Sequence, residues 1–495
     1  MPNAPASPGS RTWPQRTVLL VGTVLVMASL LGAVTIGYFG VRIGQIERVD
    51  DVALQAAEAG EPTNLLIVGT DSREGIAEDD PDAGGFLGDA GCDCTDTILL
   101  LRIDPEEERA YMLSFPRDLY LPMADTGEKA RINTAHARGA QVLVDTIEEN
   151  FDIPVNHYAE IDFVGFERLV DAVGGVPMWF DAPVRDTNTG LQIDAAECQV
   201  LDGEQARKFV RSRYLQYQDE DGDWVSDGTA DLGRITRQQI FIRRAVSKAV
   251  SKGLSNPVTL NELVSAGVAN VRLDRGLDAG DLLGIGRAFA DFDSDDLVGF
   301  SIPSEPYETP AGALVELPDL REAQRMLNVF RGLERDAPSP QMVEVTVLNG
   351  TDTPGLATDA AGALQQIGFP VVEVGDHDEQ VGRTTVIYGE GSSALAGYVG
   401  RHITGGAALV YDPDVGRGQV VLVTGADFTT VHDQPAPEGS PDDVRTTTTT
   451  STTDPTAVGD PEGTTTTTTP ESSTTTTTEQ IGYATGEPPD GVDCG

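Results

Sequence analysis

Leu65–Val68 (LLIV), closed by Gly69-Thr70-Asp71, and Thr97–Ile103 (TILLLRI), opened by Thr95-Asp96, are the stretches on which the fold of this chain turns. Each is a short apolar run without helical spacing, rich in branched side chains and bounded by turn-forming residues, and so predicts a buried strand. Tyr111–Phe115 predicts a third, halted by Pro116. Working outward, helical spacing follows in Gly139–Glu149 and Phe163–Val173, with Gly174-Gly175 stopping the second. Gly203–Arg213 predicts a helix running into a short strand. Arg234–Lys252 gives the strongest helical pattern, and helical segments extend to about Arg335. Strands alternating with helices predict an α/β fold with a central mixed β-sheet flanked by helices on both faces.

Pro338-Ser339-Pro340 breaks the pattern, and a second, small α/β unit begins. Val343–Leu348 alternates as a strand, Asn349-Gly350-Thr351 turns the chain, and Leu356–Gln366 predicts a helix. Further strands are expected at Phe369–Val374, Thr384–Tyr388, Ala408–Tyr411 and Gln419–Val423. From Pro435 the runs Thr446–Thr450, Thr464–Thr469 and Thr474–Thr478 are separated by Pro, Ser and acids, and one basic residue, Arg445, stands against eleven acids. Such a stretch has too little apolar surface for a core and predicts a disordered tail.

At the other end, Val18–Phe39 carries no charged residue. As a helix it reaches about 33 Å at 1.5 Å per residue, enough to cross a hydrocarbon core of ~30 Å. Arg11 and Arg16 precede it without an acid, which places the N-terminus in the cytoplasm. A cleaved secretory signal is the alternative, but its apolar region spans only about 7–15 residues. The expected order is a cytoplasmic N-terminus (1–17), a transmembrane anchor (18–40), a stalk (41–61), a main domain (62–335, motif core 64–252), a C-terminal domain (341–434) and the tail (435–495). The chain is thus expected in the cell membrane, single-pass, with its C-terminal domains extracytoplasmic.

Lys and Arg number 34 against 79 Asp and Glu, a net charge of −45, which argues against nucleic acid as a partner. Four cysteines, Cys92, Cys94, Cys198 and Cys494, are too few for a disulfide scaffold, and no pairing follows from them. No HExxH occurs, and the five histidines show no metal spacing, which excludes an ordinary zinc hydrolase. Gly350–Gly355 leads into Leu356-Ala357 instead of the Lys-Ser/Thr of a P-loop, and no GxSxG elbow is present.

Where bases are scarce, their clusters are informative. Arg234, Arg237, Arg243, Arg244 and Lys248 follow one another with no acid between them, shortly after Val210-Arg211-Ser212-Arg213. On an extended strand Arg211 and Arg213 would share a face, and on the helix Arg234 and Gln238 lie one turn apart. Asp231, three residues before Arg234, can cap the helix or orient an arginine. Three guanidiniums and an amide at a helix N-terminus suit a pyrophosphate. Spacing alone leaves a solvated basic face equally open, and for Arg243, Arg244 and Lys248 that reading is preferred. Asp71 after one strand and Asp96 before the next are a carboxylate pair suited to Mg²⁺. Arg117 in the turn Pro116-Arg117-Asp118 offers a second phosphate clamp, and Arg131 a further cation.

In order along the chain, Gly69-Thr70-Asp71-Ser72-Arg73, Thr95-Asp96-Thr97, Phe115-Pro116-Arg117-Asp118 and Arg131-Ile132-Asn133 are followed by Leu201-Asp202-Gly203-Glu204-Gln205-Ala206. Val210-Arg211-Ser212-Arg213 and Asp231-Leu232-Gly233-Arg234 with Gln238 complete the series. Together, over Asn64–Lys252, these pieces resemble the LytR–CpsA–Psr (LCP) family. Val343 to about Val431, with Val347-Leu348-Asn349-Gly350-Thr351, resembles the LytR-type C-terminal domain often appended to it.

The resemblance implies an LCP-like α-β-α catalytic domain and a phosphotransferase of the cell envelope. Such enzymes move a glycopolymer from a polyprenyl-pyrophosphate carrier to peptidoglycan through a phosphodiester. Carried over, Asp71 and Asp96 would hold Mg²⁺, and Arg117, Arg131, Arg211, Arg213, Arg234 and Gln238 would surround the pyrophosphate. Arg117, Asp231 and Arg234 would act in catalysis, Asp231 by orienting Arg234 or assisting proton removal. The family commonly has a basic residue two before the second metal-site Asp, where this chain has Cys94. Hydrolysis of the polyprenyl pyrophosphate, or a non-catalytic wall-binding or regulatory role, are the alternatives. For the lipid, Thr97–Leu101 and Phe163–Val173 are candidate groove walls, with plain core the preferred reading.

Overall fold

The computed structural model describes residues 37–38, 40–57, 60–70, 95–105, 109–253, 257–289, 297–437, 445–446, 486, 488–489, 492 and 494. The expected membrane span, but for its last residues, and Asp71, Cys92 and Cys94 lie outside this set. Among the described residues no helix is long and apolar enough to cross a membrane. The chain divides into two compact units. One is Met1–Ile302 with Pro306–Leu317 and Thr477–Gly495; the other is Pro318–Thr476 with Pro303–Glu305.

The first unit runs β1 (Glu47–Val49), β2 (Thr63–Thr70), β3 (Thr95–Asp104), β4 (Arg109–Ser114), α1 (Ala140–Phe151), β5 (His157–Asp162) and α2 (Phe163–Ala172). It continues through β6 (Val176–Trp179), β7 (Cys198–Leu201), α3 (Gly203–Arg211), α4 (Ala230–Gly253), α5 (Pro257–Asn270), β8 (Val271–Asp274), α6 (Ala279–Ala288) and β9 (Leu297–Ser301). Seven strands form one mixed sheet in the order β1-β8-β5-β2-β3-β4-β9. The two decisive stretches are its centre: β2 pairs antiparallel with β3 from Thr63↔Ile103 to Thr70↔Thr95, and parallel with β5.

Their unbroken apolar character has a structural cause, since both faces of these strands are covered. Leu65, Ile67, Leu99, Leu101, Ile103 and Met112 share one face and meet Ile242 and Val246 of α4, Val264 of α5 and Ile285 of α6. Leu66, Val68, Ile98, Leu100 and Leu113, one step out of phase, are buried on the other face. Phe115, which continues that face beyond β4, lies 5.2 Å from the ring of Phe151 in α1.

Register also brings one set of strand ends together. Thr70, the last residue of β2, pairs with Thr95 on one side and with Asp162, the last residue of β5, on the other. The chain leaving β4 reaches the same edge, where the Phe115 amide donates to the Ile98 carbonyl at 3.0 Å. A smaller core beside the sheet joins α2, β6, β7, α3 and α4 through Val170, Met178, Leu201, Phe209 and Phe241. Gly174 and Gly175 (φ +80° and +82°) end α2 in the left-handed region, and a Cβ at Gly175 would lie 2.6 Å from Val200.

Two expectations are corrected. The helix begun at Gly203 stops at Arg211, and Ser212 is extended, so Arg211 and Arg213 do not share a strand face. Asp96 lies inside β3 instead of preceding it. The tail also differs at its far end: Cys494 forms a disulfide with Cys198 of β7. Gly486 and Trp179 exchange backbone hydrogen bonds of 2.7 and 3.3 Å. The last described residues are therefore fastened to the small core.

The second unit contains α7 (Leu320–Phe330), β10 (Glu344–Asn349), α8 (Leu356–Gln366), β11 (Val371–Asp376), β12 (Thr385–Tyr388), α9 (Ser393–Arg401), β13 (Ala408–Tyr411) and β14 (Gln419–Thr424). Its sheet runs β11-β10-β14-β12-β13, with Arg445–Thr446 added beside β13. Val345, Val347, Leu364, Val386, Val399 and Leu422 fill its core. After β10, Asn349 folds the turn onto itself, its Oδ1 accepting from the Thr351 amide at 3.1 Å.

Candidate active site

The shared sheet edge of the first unit gathers the charged residues. Asp96 stands one residue inside β3, and Arg117 follows β4 through Pro116, which prevents the strand from continuing. Arg117 Nη1 donates to Asp96 Oδ1 at 2.7 Å, with both side chains 27% exposed. Asp118 then bridges outward, 3.5 Å from Arg117 Nε and 3.1 Å from Arg131 Nε. Arg131 Nη2 donates to the Leu314 carbonyl at 2.9 Å.

The N-terminus of α4 supplies the other half. Asp231 sits in its first turn, and Arg234 lies one turn on, with Nη2 2.9 Å from Asp231 Oδ1. Arg213 Nε reaches the same oxygen at 3.1 Å, so one carboxylate orients two guanidiniums. Gln238 Nε2 donates to Thr97 Oγ1 at 3.2 Å and to the Val210 carbonyl at 3.0 Å, tying α4 to β3 and to the end of α3.

The electrostatics unite the halves. Burial would push the Asp96 carboxyl up, but Arg234, Arg117 and Arg213 together outweigh it and hold the group below the ordinary carboxylate range. Burial lowers Arg117 too, yet Asp96 and Asp118 raise it overall. Arg234 is only 3% exposed, and burial brings its guanidinium down to about 10; Asp231 and Asp96 oppose this, while Arg213 and Arg117 add to it. Arg213 Nη2 and Arg234 Nε are buried and have no hydrogen-bond partner among the described residues. A buried donor left unmade costs about 1–3 kcal/mol, a cost that an anion held between these arginines removes.

Of the sequence-predicted site residues, Asp96, Arg117, Arg131, Arg213, Asp231, Arg234 and Gln238 are thus brought to one region. Arg211 is the last residue of α3, and its guanidinium lies over the Phe163 ring, 4.7 Å from the centroid. Asp71 lies outside the described residues; Thr70, which precedes it, pairs with Thr95, the neighbour of Asp96. Among the described residues no group of three or more His, Cys, Asp or Glu is placed to hold a metal. Asp96 is one ionised carboxylate of the kind Mg²⁺ takes together with phosphate oxygens, while the unmet arginine donors address an anion.

Sequence reasoning missed the residues that shape the arginine turn. Asp186 is fully buried, and its Oδ2 accepts from Ser212 Oγ at 2.6 Å and from the amides of Arg213 and Tyr214 at 3.1 and 2.9 Å. Arg237 is not an anion ligand. It is 1% exposed, pairs with Asp227 at 2.6 Å and donates to the Ser212 carbonyl at 2.7 Å. Its place on α4, three residues after Arg234, was visible in the sequence; Asp186 gave no local signal.

Comparison with known proteins places these features. A family model described as the LytR_cpsA_psr family matches residues 41–328, and one described as LytR cell envelope-related transcriptional attenuator matches residues 342–428. The chain is 34% identical over 260 residues to a Corynebacterium glutamicum protein named Probable cell wall biosynthesis protein LcpB, covering 52% of this chain and 57% of that one. It is 26% identical over 460 residues to cell wall biosynthesis protein LcpA of the same species, covering 83% and 86%. To the polyisoprenyl-teichoic acid–peptidoglycan teichoic acid transferase TagU of Halalkalibacterium halodurans it is 32% identical over 229 residues, covering 46% of this chain and 66% of that one. With more than half of its length matched by the family model, and the motif residues gathered at one sheet edge, the chain belongs to the LytR–CpsA–Psr family.

Proposed function

We propose that this protein is a cell-envelope phosphotransferase that moves a glycopolymer from a polyprenyl-pyrophosphate carrier to peptidoglycan. The observation that carries the reading is the pair of buried, unmet donors on Arg213 and Arg234 beside an ionised Asp96. Membership of the family and the printed activity of TagU support it.

In this reading Arg117, Arg213 and Arg234 neutralise the pyrophosphate and stabilise charge that grows on the transferred phosphorus and on the leaving phosphate. Asp96 and Asp71 would hold Mg²⁺, which would supply further charge neutralisation. The acceptor hydroxyl oxygen forms a bond to the polymer-side phosphorus, the bridging P–O bond breaks, and polyprenyl monophosphate leaves with the bond's electron pair. The hydroxyl proton passes to a base. Asp231, already engaged by two guanidiniums, serves to orient them. Gln238 holds α4 against β3 so that Arg234 stays beside Asp96.

Residues 18–40 act in this reading as the membrane anchor, keeping the site near a lipid-borne donor. The Cys198–Cys494 disulfide supports an extracytoplasmic setting, since such bonds persist in oxidising compartments. Residues 341–434 form an accessory domain. The test is turnover of a lipid-pyrophosphate-linked oligosaccharide by the full chain, with and without Mg²⁺ and peptidoglycan. Product joined to peptidoglycan supports transfer, and free phosphorylated oligosaccharide alone supports hydrolysis. No turnover, or turnover unaffected by Arg117→Ala, rejects both.

A further inference from the structure

The edge that carries Asp96 continues across β2 and β5 into a region of opposite character. A cavity of about 340 Å³ opens there, within the usual size range of ligand sites, about 300–1,000 Å³. Its walls include Thr70, His136, Glu160, Asp162 and Arg272, together with Ala269 on the last turn of α5. Thr70 pairs with Thr95, next to Asp96, so one wall of the cavity and the arginine site stand on neighbouring strand ends.

Three observations narrow what the cavity takes. First, among the described residues Glu47, Glu160 and Asp162 line it against Arg272 and His136, a net-acidic lining that repels phosphate instead of gathering it. Second, the wall is a fixed polar surface. Glu160 is 5% exposed; its Oε1 accepts from Tyr158 at 2.8 Å and lies 3.0 Å from His136 Nε2, while Oε2 accepts from Arg272 at 2.6 Å. Asp162 is likewise held, capping α2 through the Gly165 amide at 2.6 Å. Third, Glu160 already has both oxygens engaged by Tyr158, His136 and Arg272, and Asp162 Oδ1 caps α2, so these acids are compensated by protein donors and call for no cation. A polar, net-acidic cavity offering both donors and acceptors fits an uncharged ligand rich in hydroxyl and amide groups.

We infer that this cavity is a saccharide subsite that seats the acceptor glycan beside the phosphorus held by the arginines. The role rests on the phosphotransfer reading; the binding does not. The two compartments then divide the reactants by charge, the anionic pyrophosphate to the arginines and the neutral hydroxyl donor to the acid-lined cavity. Keeping the anionic donor out of the acceptor position is a specificity device, because the wrong ligand meets like charge.

Two probes test this on the full chain by calorimetry: an uncharged N-acetylglucosamine tetrasaccharide, and inorganic pyrophosphate with Mg²⁺. Ala269 is exposed at the rim, so Ala269→Trp fills the cavity without removing any hydrogen bond described above. The expected result is saccharide binding weakened at least tenfold in Ala269→Trp and unchanged in Arg117→Ala, with pyrophosphate binding showing the reverse pattern. Pyrophosphate binding by Ala269→Trp also reports that the variant is folded. Saccharide binding that is absent from the wild type, equal in Ala269→Trp, or lost in Arg117→Ala overturns the subsite. Failure of pyrophosphate to bind the wild type would instead count against the phosphotransfer reading, and the saccharide result would still decide the cavity.

Discussion

Asp96 and Glu160 sit two strands apart at one edge of the same sheet, both largely withdrawn from water and both held ionised, yet by different means. Around Glu160 each oxygen has its partner, and Tyr158, His136 and Arg272 close the network. These partners outweigh the burial that would otherwise push its carboxyl up. Around Asp96 three guanidiniums gather, and buried donors on Arg213 and Arg234 are left over. A closed network makes a fixed, charge-compensated wall that a neutral ligand can meet; an open one keeps charged donors for an anion. Asp227 with Arg237 is the most deeply buried pair, both side chains 1% exposed.

That contrast makes breakable statements. Removing one partner of the most buried pair should cost most: Asp227→Ala is expected to destabilise by about 3–5 kcal/mol, read as a fall in the denaturant midpoint. Arg117→Ala, in the open network, should lower turnover by about 10²–10³-fold. Because that pair is partly exposed, its cost in stability should stay within about 1 kcal/mol. If the same variant unfolds the protein, the open network is structural after all. Glu160→Ala should cost about 1–3 kcal/mol by leaving the buried Tyr158 hydroxyl without its acceptor, while pyrophosphate binding stays intact.

The smallest effect is on acid sensitivity. Asp96 and Glu160 both have folded-state values below those of the unfolded chain, where carboxyls titrate at about pH 4. Between the two values the unfolded chain binds more protons, so stability falls as pH falls. Their contribution is therefore complete above about pH 4 and lost below it. Unfolding midpoints measured from pH 7 to pH 3 should decline less steeply at the acid end in Glu160→Gln than in the wild type.

What the sequence disclosed follows the range of the interactions. The central strands were legible because burial on both faces leaves an unbroken apolar run, as in Thr97–Ile103. Asp231 with Arg234 was legible because one helical turn joins them. Contacts between distant segments were not. Asp186 fixes Ser212 across 26 residues, Arg272 meets Glu160 across 112, and Cys494 returns to Cys198 across 296. Arg211 was misplaced by a single residue of helix length: α3 keeps its last turn through Arg211, and the extended segment begins only at Ser212.

The central claim is that the open network handles phosphorus, and one labelling measurement tests it directly. A lipid-pyrophosphate donor carrying ³²P at the polymer-side phosphorus is incubated with the full chain, Mg²⁺ and peptidoglycan, and the label is followed. The account predicts label joined to peptidoglycan, in an amount that falls by about 10²–10³-fold in Arg117→Ala. Polymer joined to peptidoglycan without the label would mean the sugar–oxygen bond was cut instead, and would contradict it.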